Sequence, residues 1–430
     1  MRKIAWIFAV TLGLSLAACG GGGGGSDSTT SNNQSGGGNT VVQPATQSTP
    51  NVLAADATAV PTSSSASNTL PVTVSATGIA NQPMVSVTIC SPGTNGANNC
   101  SVIPNVLVDT GSYGLRVFKS ALSTTTYNTL TQETVGLPAT PLAECAVFGS
   151  GYGWGTVRLA DVKLNAEIAQ NVPVHVLADP ELTTATPSDC QNGIALIDST
   201  AMGANGILGI GSSPTDCPAC AITPNTSFYY TNAGTVTTVP TTQQVTNPVA
   251  LFPADNNGVI LEMAQVSDSG AASATGTLVF GIDTQSNNAL AGTSATLIKT
   301  TSGGVFTSVY KGVTQRNSFF DSGSTALFFP DLTIARESTH GYYVPTTTQG
   351  LSSTLTTISP ATVNFGYNVA NAGTLFTTAS NMAFNNLGLY MSGVFDFGIP
   401  AFYGRHVYYG ITGKTSTGGG TGPYVALVSS

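Results

Sequence analysis

Short runs of β-branched and aromatic residues, separated by Gly, Asn, Asp and Pro, make up most of the chain from Leu70 onward. Residues 72–74 and 84–89 are two such runs. This pattern is typical of β-strands that end in turns. Continuous helical periodicity is scarce, and the best short helix candidates lie just after Ser324 and at residues 332–337. The sequence therefore predicts a mainly β fold.

The region with this pattern is about 360 residues long, which is more than one compact hydrophobic core usually holds. We therefore expect two β lobes, an N-terminal lobe at residues 71–250 and a C-terminal lobe at residues 251–430. The polar stretch at residues 222–248 is a candidate for a long loop or for the connection between the lobes.

Residues 1–18 predict an export signal, because Arg2 and Lys3 precede an apolar run at residues 4–16 that is too short to span a bilayer. The signal ends in Leu-Ala-Ala-Cys at residues 16–19, which resembles the bacterial lipobox. That resemblance implies cleavage before Cys19 and lipidation of Cys19. Because Gly20 follows, it also implies a lipid anchor in the outer membrane of the bacterial cell envelope. An ordinary signal peptide, in which Cys19 is incidental, is the alternative.

Residues 19–70 begin with a glycine run and continue through Ser, Thr, Asn and Gln with scattered Pro. Such a composition offers too few apolar groups to offset the conformational entropy lost on folding. We therefore expect a disordered Gly/Ser/Thr-rich tether over these residues.

Charged residues make up only 7% of the chain, and the formal net charge is −8. A chain with so little positive charge has no basic patch for nucleic acid, which is therefore not an expected partner. The negative charge also opposes attachment to anionic lipid head groups, so the lipid on Cys19 must provide the contact with the membrane.

Six cysteines follow Cys19, and an even number in an oxidising compartment predicts three disulfides. The sequence alone leaves about 15 pairings open. Short loops favour two pairs and leave a third, which gives Cys90–Cys100, Cys217–Cys220 and Cys145–Cys190. A redox motif at residues 217–220 is the alternative, disfavoured because the flanking Thr, Asn and Pro do not provide the βαβ context of such motifs.

Two acidic residues directly follow apolar strands and begin the same kind of turn. Asp109 lies in Val-Leu-Val-Asp-Thr-Gly-Ser at residues 106–112, and Asp321 lies in Phe-Phe-Asp-Ser-Gly-Ser at residues 319–324. The strand fixes each carboxyl group, the glycine lets the backbone fold close to it, and the hydroxyls supply hydrogen bonds. The expected supporting residues are Thr110, Gly111, Ser112, Ser322, Gly323 and Ser324.

Two such turns facing one another would bring the two acids within a few ångströms. Both acids cannot then be fully charged near neutrality, so the pair shares one proton. One member can act as a base toward water and the other as an acid toward a carbonyl group.

A third Asp-Ser-Gly, at residues 268–270, serves as an internal control. It follows Val266-Ser267 and precedes Ala271, so it has neither the apolar strand before it nor the hydroxyl residue after it. We interpret it as a simple turn.

The set of motifs resembles the pepsin-like aspartic proteases, in which each lobe carries Asp-Thr/Ser-Gly-Thr/Ser and a later apolar-apolar-Gly strand that passes beneath the catalytic turn. Residues 205–211 are similar to that element of the first lobe, and residues 397–403 stand where the second belongs. Residues 148–164 are similar to the flap hairpin, and residues 276–283 to the segment that opens the second lobe. The sequences of the two Asp turns and of the lipobox also resemble those of a family of bacterial lipoproteins of uncharacterised function.

The resemblance implies a bilobal acid protease fold, with two six-stranded-type β lobes, a central cleft, and Asp109 and Asp321 as the catalytic pair. It implies an aspartic-type endopeptidase that needs neither a metal nor a cofactor, acts as a monomer and takes an extended peptide or unfolded protein as its substrate. The expected flap residues are Phe148, Gly149 and Tyr152.

Three features depart from the family pattern. The flap tyrosine is replaced by Phe148, which cannot donate a hydrogen bond, although Tyr152 is nearby. The second apolar-apolar-Gly element is irregular, with Phe-Gly-Ile-Pro at residues 397–400. No Lys or Arg occurs between Lys3 and Arg116, which argues against a basic prosegment. A catalytically weak or inactive peptide-binding lipoprotein is therefore the alternative function, and a purely structural envelope protein is a third.

Other chemistries have little support in the sequence. The chain has three histidines, His175, His340 and His406, and none has Cys, Asp or Glu at metal-ligand spacing. The run Gly-Ser-Gly at residues 149–151 lacks the glycine spacing of a serine-hydrolase nucleophile turn.

Overall fold

The computed structural model describes residues 51–53, 55–75, 79–358 and 361–429. The predicted signal peptide at residues 1–18, the lipidation site Cys19 and most of the predicted tether lie outside the described residues.

Strands and very short helices alternate through the first half of the described chain. Two of the strands flank the first acidic turn, since Asp109 ends one strand and the next strand begins at Tyr113. The strands are β1 (Asn51–Leu53), β2 (Thr69–Val74), β3 (Met84–Cys90), β4 (Ser101–Asp109), β5 (Tyr113–Phe118), β6 (Thr131–Gln132), β7 (Thr134–Val135), β8 (Thr140–Phe148), β9 (Gly151–Leu164), β10 (Glu167–Leu177), β11 (Ile194–Ala195), β12 (Gly206–Ile210) and β13 (Tyr229–Thr231). The helices are α1 (Thr124–Tyr127) and α2 (Ser199–Met202), with 3-10 turns at Lys119–Ala121, Pro218–Ala221, Thr241–Gln243 and Pro248–Leu251.

The second half has the same character, and Asp321 again ends a strand. The strands are β14 (Gly258–Met263), β15 (Ala274–Phe280), β16 (Thr296–Lys299), β17 (Phe306–Tyr310), β18 (Val313–Asp321), β19 (Leu327–Phe329), β20 (Gln349–Thr356), β21 (Thr362–Val369), β22 (Gly388–Tyr390), β23 (Phe395–Gly398), β24 (Arg405–Gly410), β25 (Thr415–Ser416), β26 (Gly420–Thr421) and β27 (Tyr424–Val428). The helix α3 spans Ala372–Leu375, and a 3-10 turn spans Ile399–Ala401.

One large sheet of seventeen strands closes on itself and contains all of the strands β2 to β16 together with β24 and β27. Six of its strands form an antiparallel layer in the order β16-β27-β24-β14-β15-β2, which we call the central sheet. It joins the N-terminal lobe through the pairing of Thr73 in β2 with Met84 in β3. Strands from both ends of the described chain therefore meet in one layer.

The second lobe is built on an eight-stranded sheet in the order β1-β21-β20-β17-β18-β23-β19-β22. Its core is a cluster of stacked and edge-to-face aromatic rings, in which Phe320 lies 4.8 Å from Phe397 between ring centroids. Phe365, Phe395 and Phe306 complete the cluster around these two rings. Aromatic pairs of this kind stabilise a core beyond the area they bury, so the strand that ends at Asp321 is firmly held.

The predicted mainly β, two-lobed architecture is confirmed by these strand pairings. The sheets are larger than the expected six-stranded lobes, because the central sheet continues into the N-terminal lobe. The predicted helix after Ser324 was wrong, since Leu327–Phe329 form β19 with buried side chains on both faces. Residues 332–337 are also not helical, and Arg336 instead makes an isolated β-bridge with Tyr343. Burial between sheets overrides weak helical propensity at these positions.

The predicted tether at residues 19–70 was wrong over its last part. Ala57 and Ala59 are buried, and the backbone amides of Thr58 and Ala59 donate to the carbonyl oxygens of Ser429 and Gly404. The backbone amide and hydroxyl of Thr62 both donate to the carboxylate of buried Glu262. Residues 57–62 are therefore held in place by residues that are distant in the sequence, and the local composition does not indicate those contacts.

Three disulfides are present, Cys90–Cys100, Cys145–Cys190 and Cys217–Cys220, which is the pairing that the short loops favour. Cys145 lies in β8, so the second disulfide ties the β8–β9 hairpin to the loop that contains Cys190. None of the helices in the described residues has the length and apolar character needed to cross a membrane.

A truncation tests the role of the segment before β2. Removing residues 51–63 together with the tether leaves buried Glu262 without its Thr62 donors, and an unsatisfied buried acceptor costs about 1–3 kcal/mol. We expect the free energy of unfolding in urea to fall by at least that amount. The control variant lacks only residues 19–50 and should unfold like the longer chain. Equal stability of the two variants would contradict the packing described above.

Candidate active site

The two acidic turns occupy equivalent places in the two lobes. Strand β12 runs parallel to β4 and sets Gly209 opposite Asp109. Strand β23 runs parallel to β18 and sets Gly398 opposite Asp321. In both lobes the strand beneath the acid also pairs antiparallel with the strand that leaves the turn, β5 in one and β19 in the other. Each carboxyl group is thus fixed by three neighbouring strands.

Each carboxyl group accepts two hydrogen bonds from its own turn, in the same pattern. Asp109 accepts from the Gly111 amide at 2.9 Å and from the Ser112 hydroxyl at 2.6 Å. Asp321 accepts from the Gly323 amide at 2.7 Å and from the Ser324 hydroxyl at 2.9 Å. These four donors, which the sequence predicts as supporting residues, orient both carboxyl groups.

The second residue of each turn reaches across to the other turn. The Ser322 amide donates to the Thr110 hydroxyl oxygen at 2.9 Å, and the Thr110 amide donates to the Ser322 hydroxyl oxygen at 3.1 Å. The Ser322 hydroxyl in turn donates to the Val108 carbonyl oxygen at 2.7 Å. Both residues are buried, so these bonds lock the two turns together in a region of low dielectric constant.

The two central glycines are required by the close approach of the turns. A Cβ atom on Gly111 would lie 2.5 Å from Cγ of Asp321, and one on Gly323 would lie 2.8 Å from Cγ of Asp109. Any other residue at either position would collide with the opposite acid. The structure therefore places each acid against the turn of the other.

The environment of the two acids favours a bound proton. Burial raises the pKa of Asp321 well above its usual range, and the neighbouring Asp109 raises it further through its charge and a hydrogen bond between the two side chains. Burial and the same two acids also raise the pKa of Tyr113, the first residue of β5. Tyr113 is a site residue that the sequence did not indicate. Its hydroxyl approaches Gly303 and Gly304, which precede β17.

The predicted flap is a hairpin, in which β8 and β9 pair as far as Phe148 and Gly151 around a turn at Gly149. Its tip pairs with β11, and the Tyr152 carbonyl oxygen accepts from the Leu196 amide. The guanidinium group of Arg116 lies over Phe148, with its central carbon 5.7 Å from the centroid of the Phe148 ring. The hairpin is therefore part of the packed wall of the N-terminal lobe, and its role over a substrate remains a prediction.

A buried charged cluster is centred on Glu144 of the hairpin strand β8 and was missed by the sequence interpretation. Arg116 donates to Glu144 at 2.6 Å, to Asp216 at 2.9 Å and to the Tyr113 carbonyl oxygen at 2.6 Å. His175 Nδ1 lies 3.0 Å from Glu144. Burial lowers the pKa of His175 well below its usual range, with Arg116 adding to the effect, and burial raises the pKa of Glu144. The sequence feature that could have indicated this cluster is an arginine, Arg116, inside the apolar strand β5.

The control motif at residues 268–270 lies apart from the two acids. Asp268 and Ser269 are exposed in a turn where Gly270 has a φ of 82°. Asp268 contacts Asn385, and its backbone carbonyl oxygen accepts from Asn386. The interpretation of this copy as a simple turn agrees with its position.

No cluster of three or more His, Cys, Asp or Glu side chains with metal-binding geometry occurs within the described ranges. Two surface recesses, of about 440 and 350 Å³, lie elsewhere and are not lined by either acid. Asp109 itself is 7% exposed. The oriented carboxyl groups and the raised pKa of Asp321 can support acid–base chemistry.

Fold and site together define a two-lobed β protein with paired, mutually hydrogen-bonded Asp turns. The chain belongs to the family described as "Protein of unknown function (DUF3443)", whose model matches residues 64–427. No curated protein matches the chain significantly in sequence. Among solved structures, the aspartic proteinase from Irpex lacteus is similar with a TM-score of 0.46 and 16% sequence identity, over 84% of this chain and 97% of that one.

Substitutions in the two reciprocal residues test the link between the turns. Thr110→Val and Ser322→Ala each leave a buried amide without its acceptor, so we expect each to lower the free energy of unfolding by about 1–3 kcal/mol. The double variant should lose less than the sum, because both residues belong to one network. Chemical denaturation measures all three variants, with Ser269→Ala in the exposed control motif expected to have no effect. Fully additive losses would mean that the two turns are not coupled.

Proposed function

We propose that this protein is a lipid-anchored aspartic-type endopeptidase. The observation that carries the proposal is the reciprocal arrangement of the two turns, in which each acid lies against the glycine of the other turn. Such close packing makes two carboxyl groups with one shared proton the reactive feature of the site.

In the proposed reaction, a water molecule lies between the two carboxyl groups. Asp109 takes a proton from the water while the water oxygen attacks the carbonyl carbon of a peptide bond. Asp321, which holds its proton because of burial and the nearby Asp109, gives that proton to the carbonyl oxygen. The C–N bond then breaks as the amine nitrogen receives the proton held by Asp109. One hydroxyl of the tetrahedral intermediate returns its proton to Asp321, which leaves a carboxylic acid, an amine and the pair in its starting protonation state. No covalent intermediate, metal or cofactor takes part in these steps.

The proposed substrate is an extended peptide or an unfolded protein, and the proposed unit is the monomer. The proposed location is the cell envelope, with the lipid on Cys19 in the outer membrane and residues 20–50 as a spacer. A peptide-binding protein without turnover is the second candidate. The observation that favours it is Phe148, which stands in the hairpin without a hydroxyl group to hold the substrate.

Cleavage of an unfolded protein tests the proposed reaction. We expect peptide-bond hydrolysis between acidic and neutral pH that is inhibited by pepstatin. Asp109→Asn and Asp321→Asn remove the base and the acid, and each should lower the rate by at least about 10²–10⁴-fold. Asp268→Asn in the control motif should leave the rate unchanged. Peptide products in the assay are identified by mass spectrometry.

The outcomes separate the candidate functions. Hydrolysis that survives in both Asp109→Asn and Asp321→Asn would overturn the proposed mechanism. Peptide binding without cleavage across many substrates would support the binding protein instead. Neither binding nor cleavage would leave a structural protein of the cell envelope.

Lipidation is tested by the Cys19→Ser variant. The wild-type chain should incorporate labelled palmitate and sediment with membranes, because several acyl chains hold a protein firmly. The variant should lose the label and appear in the soluble fraction. A variant that still sediments with membranes in the absence of label would contradict the proposed anchor.

A further inference from the structure

Asp396 is a third acidic residue beside the two turns, and its role is not explained so far. It lies in the middle of β23, the strand beneath Asp321, and it is fully buried. Its backbone pairs with Phe319 on one side and Phe328 on the other. A carboxyl group in a buried strand, between Phe395 and Phe397, is costly in free energy unless it is hydrogen-bonded, paired or uncharged.

The direction of the Asp396 side chain follows from its neighbours in the strand. Side chains two residues apart in a strand point to the same face. A Cβ atom on Gly398 would lie 2.6 Å from the Ser324 carbonyl oxygen and 2.1 Å from that of Ala326. The face of β23 that carries Asp396 is therefore the face that packs against the turn after Asp321. Phe395 and Phe397 point the other way, into the aromatic cluster.

The hydrogen bonding of Asp396 is incomplete. Neither of its carboxyl oxygens makes a well-formed hydrogen bond within the part of the chain that the structure describes. The Ser324 hydroxyl lies near enough to interact with Asp396, but its hydrogen is donated to Asp321. The Ser324 oxygen retains lone pairs, so it can accept one hydrogen bond while it donates another.

The charges around Asp396 oppose its ionisation. Burial raises its pKa well above the usual range, the charge of Asp321 raises it further, and Asp109 adds to the effect, while the Ser324 hydroxyl acts in the opposite direction. The Tyr409 phenol of β24 also lies within electrostatic range of all three acids. Its hydroxyl donates to the Phe320 carbonyl oxygen at 3.1 Å.

We propose that Asp396 is a third carboxyl group of the site, which keeps its own proton and positions Asp321 through the Ser324 hydroxyl. The proton of Asp396 is donated to the Ser324 oxygen, and the Ser324 hydrogen is donated to Asp321. Successive hydrogen bonds in a buried chain strengthen one another, so Ser324 is held as a donor. Asp396 is a positioning residue in this scheme, and its value for catalysis rests on the proposed endopeptidase function.

The scheme explains why an acid could stand at this position. A protonated carboxyl group donates one hydrogen bond and remains uncharged beside Asp321. Ionisation of Asp396 at higher pH would remove that donor and add a negative charge next to the pair. Ionisation of Asp396 therefore also sets the upper end of the pH range in which Ser324 is held as a donor to Asp321.

Two substitutions distinguish this role from a merely structural one. Asp396→Asn has nearly the same shape and retains a donor that cannot ionise, while Asp396→Val has a similar volume and no donor. Circular dichroism and thermal unfolding establish that both variants fold. Titration of ¹³C-labelled Asp carboxyl carbons by NMR follows Asp321 and Asp396 without the need for a substrate, and Asp268→Asn is the control.

In the wild-type protein we expect an Asp carboxyl signal that stays protonated at pH 7 and is missing in Asp396→Asn, in addition to the signals of the Asp109–Asp321 pair. The Asp321 signal should titrate in Asp396→Asn as it does in the wild type, but about half a pH unit higher in Asp396→Val, because the donor chain to its carboxylate is broken. An ionised Asp396 at pH 7, or the same Asp321 titration in both variants and the wild type, would overturn the proposal.

Thermal unfolding gives an independent reading of the Asp396 proton. A carboxyl group with a raised pKa in the folded state stabilises the fold below its unfolded pKa, near 4, and that stability is lost as the pH rises toward the folded pKa. Asp396→Asn has no such loss, so its unfolding midpoint should match wild type at pH 4 and exceed it by about 2–4 °C at pH 8. A difference between the two unfolding midpoints that stays the same from pH 4 to pH 8 would count against a proton on Asp396.

The two proposals can fail separately. If the enzyme is active, Asp396→Asn should retain activity and keep it to higher pH than wild type, while Asp396→Val should lose about tenfold in kcat. If neither cleavage nor pepstatin binding occurs, the endopeptidase proposal fails, and the NMR titration still decides the role of Asp396.

Discussion

The reciprocal hydrogen bonds between Thr110 and Ser322 are the constraint on which the rest of the site depends. They join two turns that are more than two hundred residues apart in the chain and belong to different lobes. The close approach of the turns requires glycine at positions 111 and 323 and brings the carboxyl groups opposite one another. It also adds the charge of Asp109 to burial, which is the larger cause of the raised pKa of Asp321. Loss of this contact would leave two ordinary acidic turns.

Much of this arrangement could be predicted from the sequence, because strand-turn motifs are local. The run of apolar residues before Asp109 and Asp321 gave the strands, and the following Gly and hydroxyl residues gave the hydrogen-bond donors. The same reasoning set Asp268 apart, since it lacks the strand before it. The disulfides followed from loop length. Apart from the Cys145–Cys190 pair, which the other two disulfides left by elimination, each of these predictions depends on residues that lie close together in the chain.

The features that were missed depend on residues that are distant in the chain. Residues 55–63 have the composition of a linker, and only partners such as Glu262 and Ser429 hold them in place. Residues 327–329 form a strand because β22 and β23 lie on either side of them. Asp396 and Arg116 each interrupt an apolar run, which was a local signal, but their partners are supplied by other strands. The local sequence shows that a charged residue stands in an apolar run at such positions, but it does not show which distant residues contact that charge.

The central sheet has a consequence for the order in which the molecule assembles. Its layer combines β2, near the start of the described chain, with β27, which ends only two residues before the C-terminal residue of the sequence. Tyr409 of this sheet also supports the strand that ends at Asp321. During synthesis, this layer can be completed only after the residues of β27 have been added. The support that Tyr409 gives to the strand of Asp321 therefore forms late, after most of the described chain has been made.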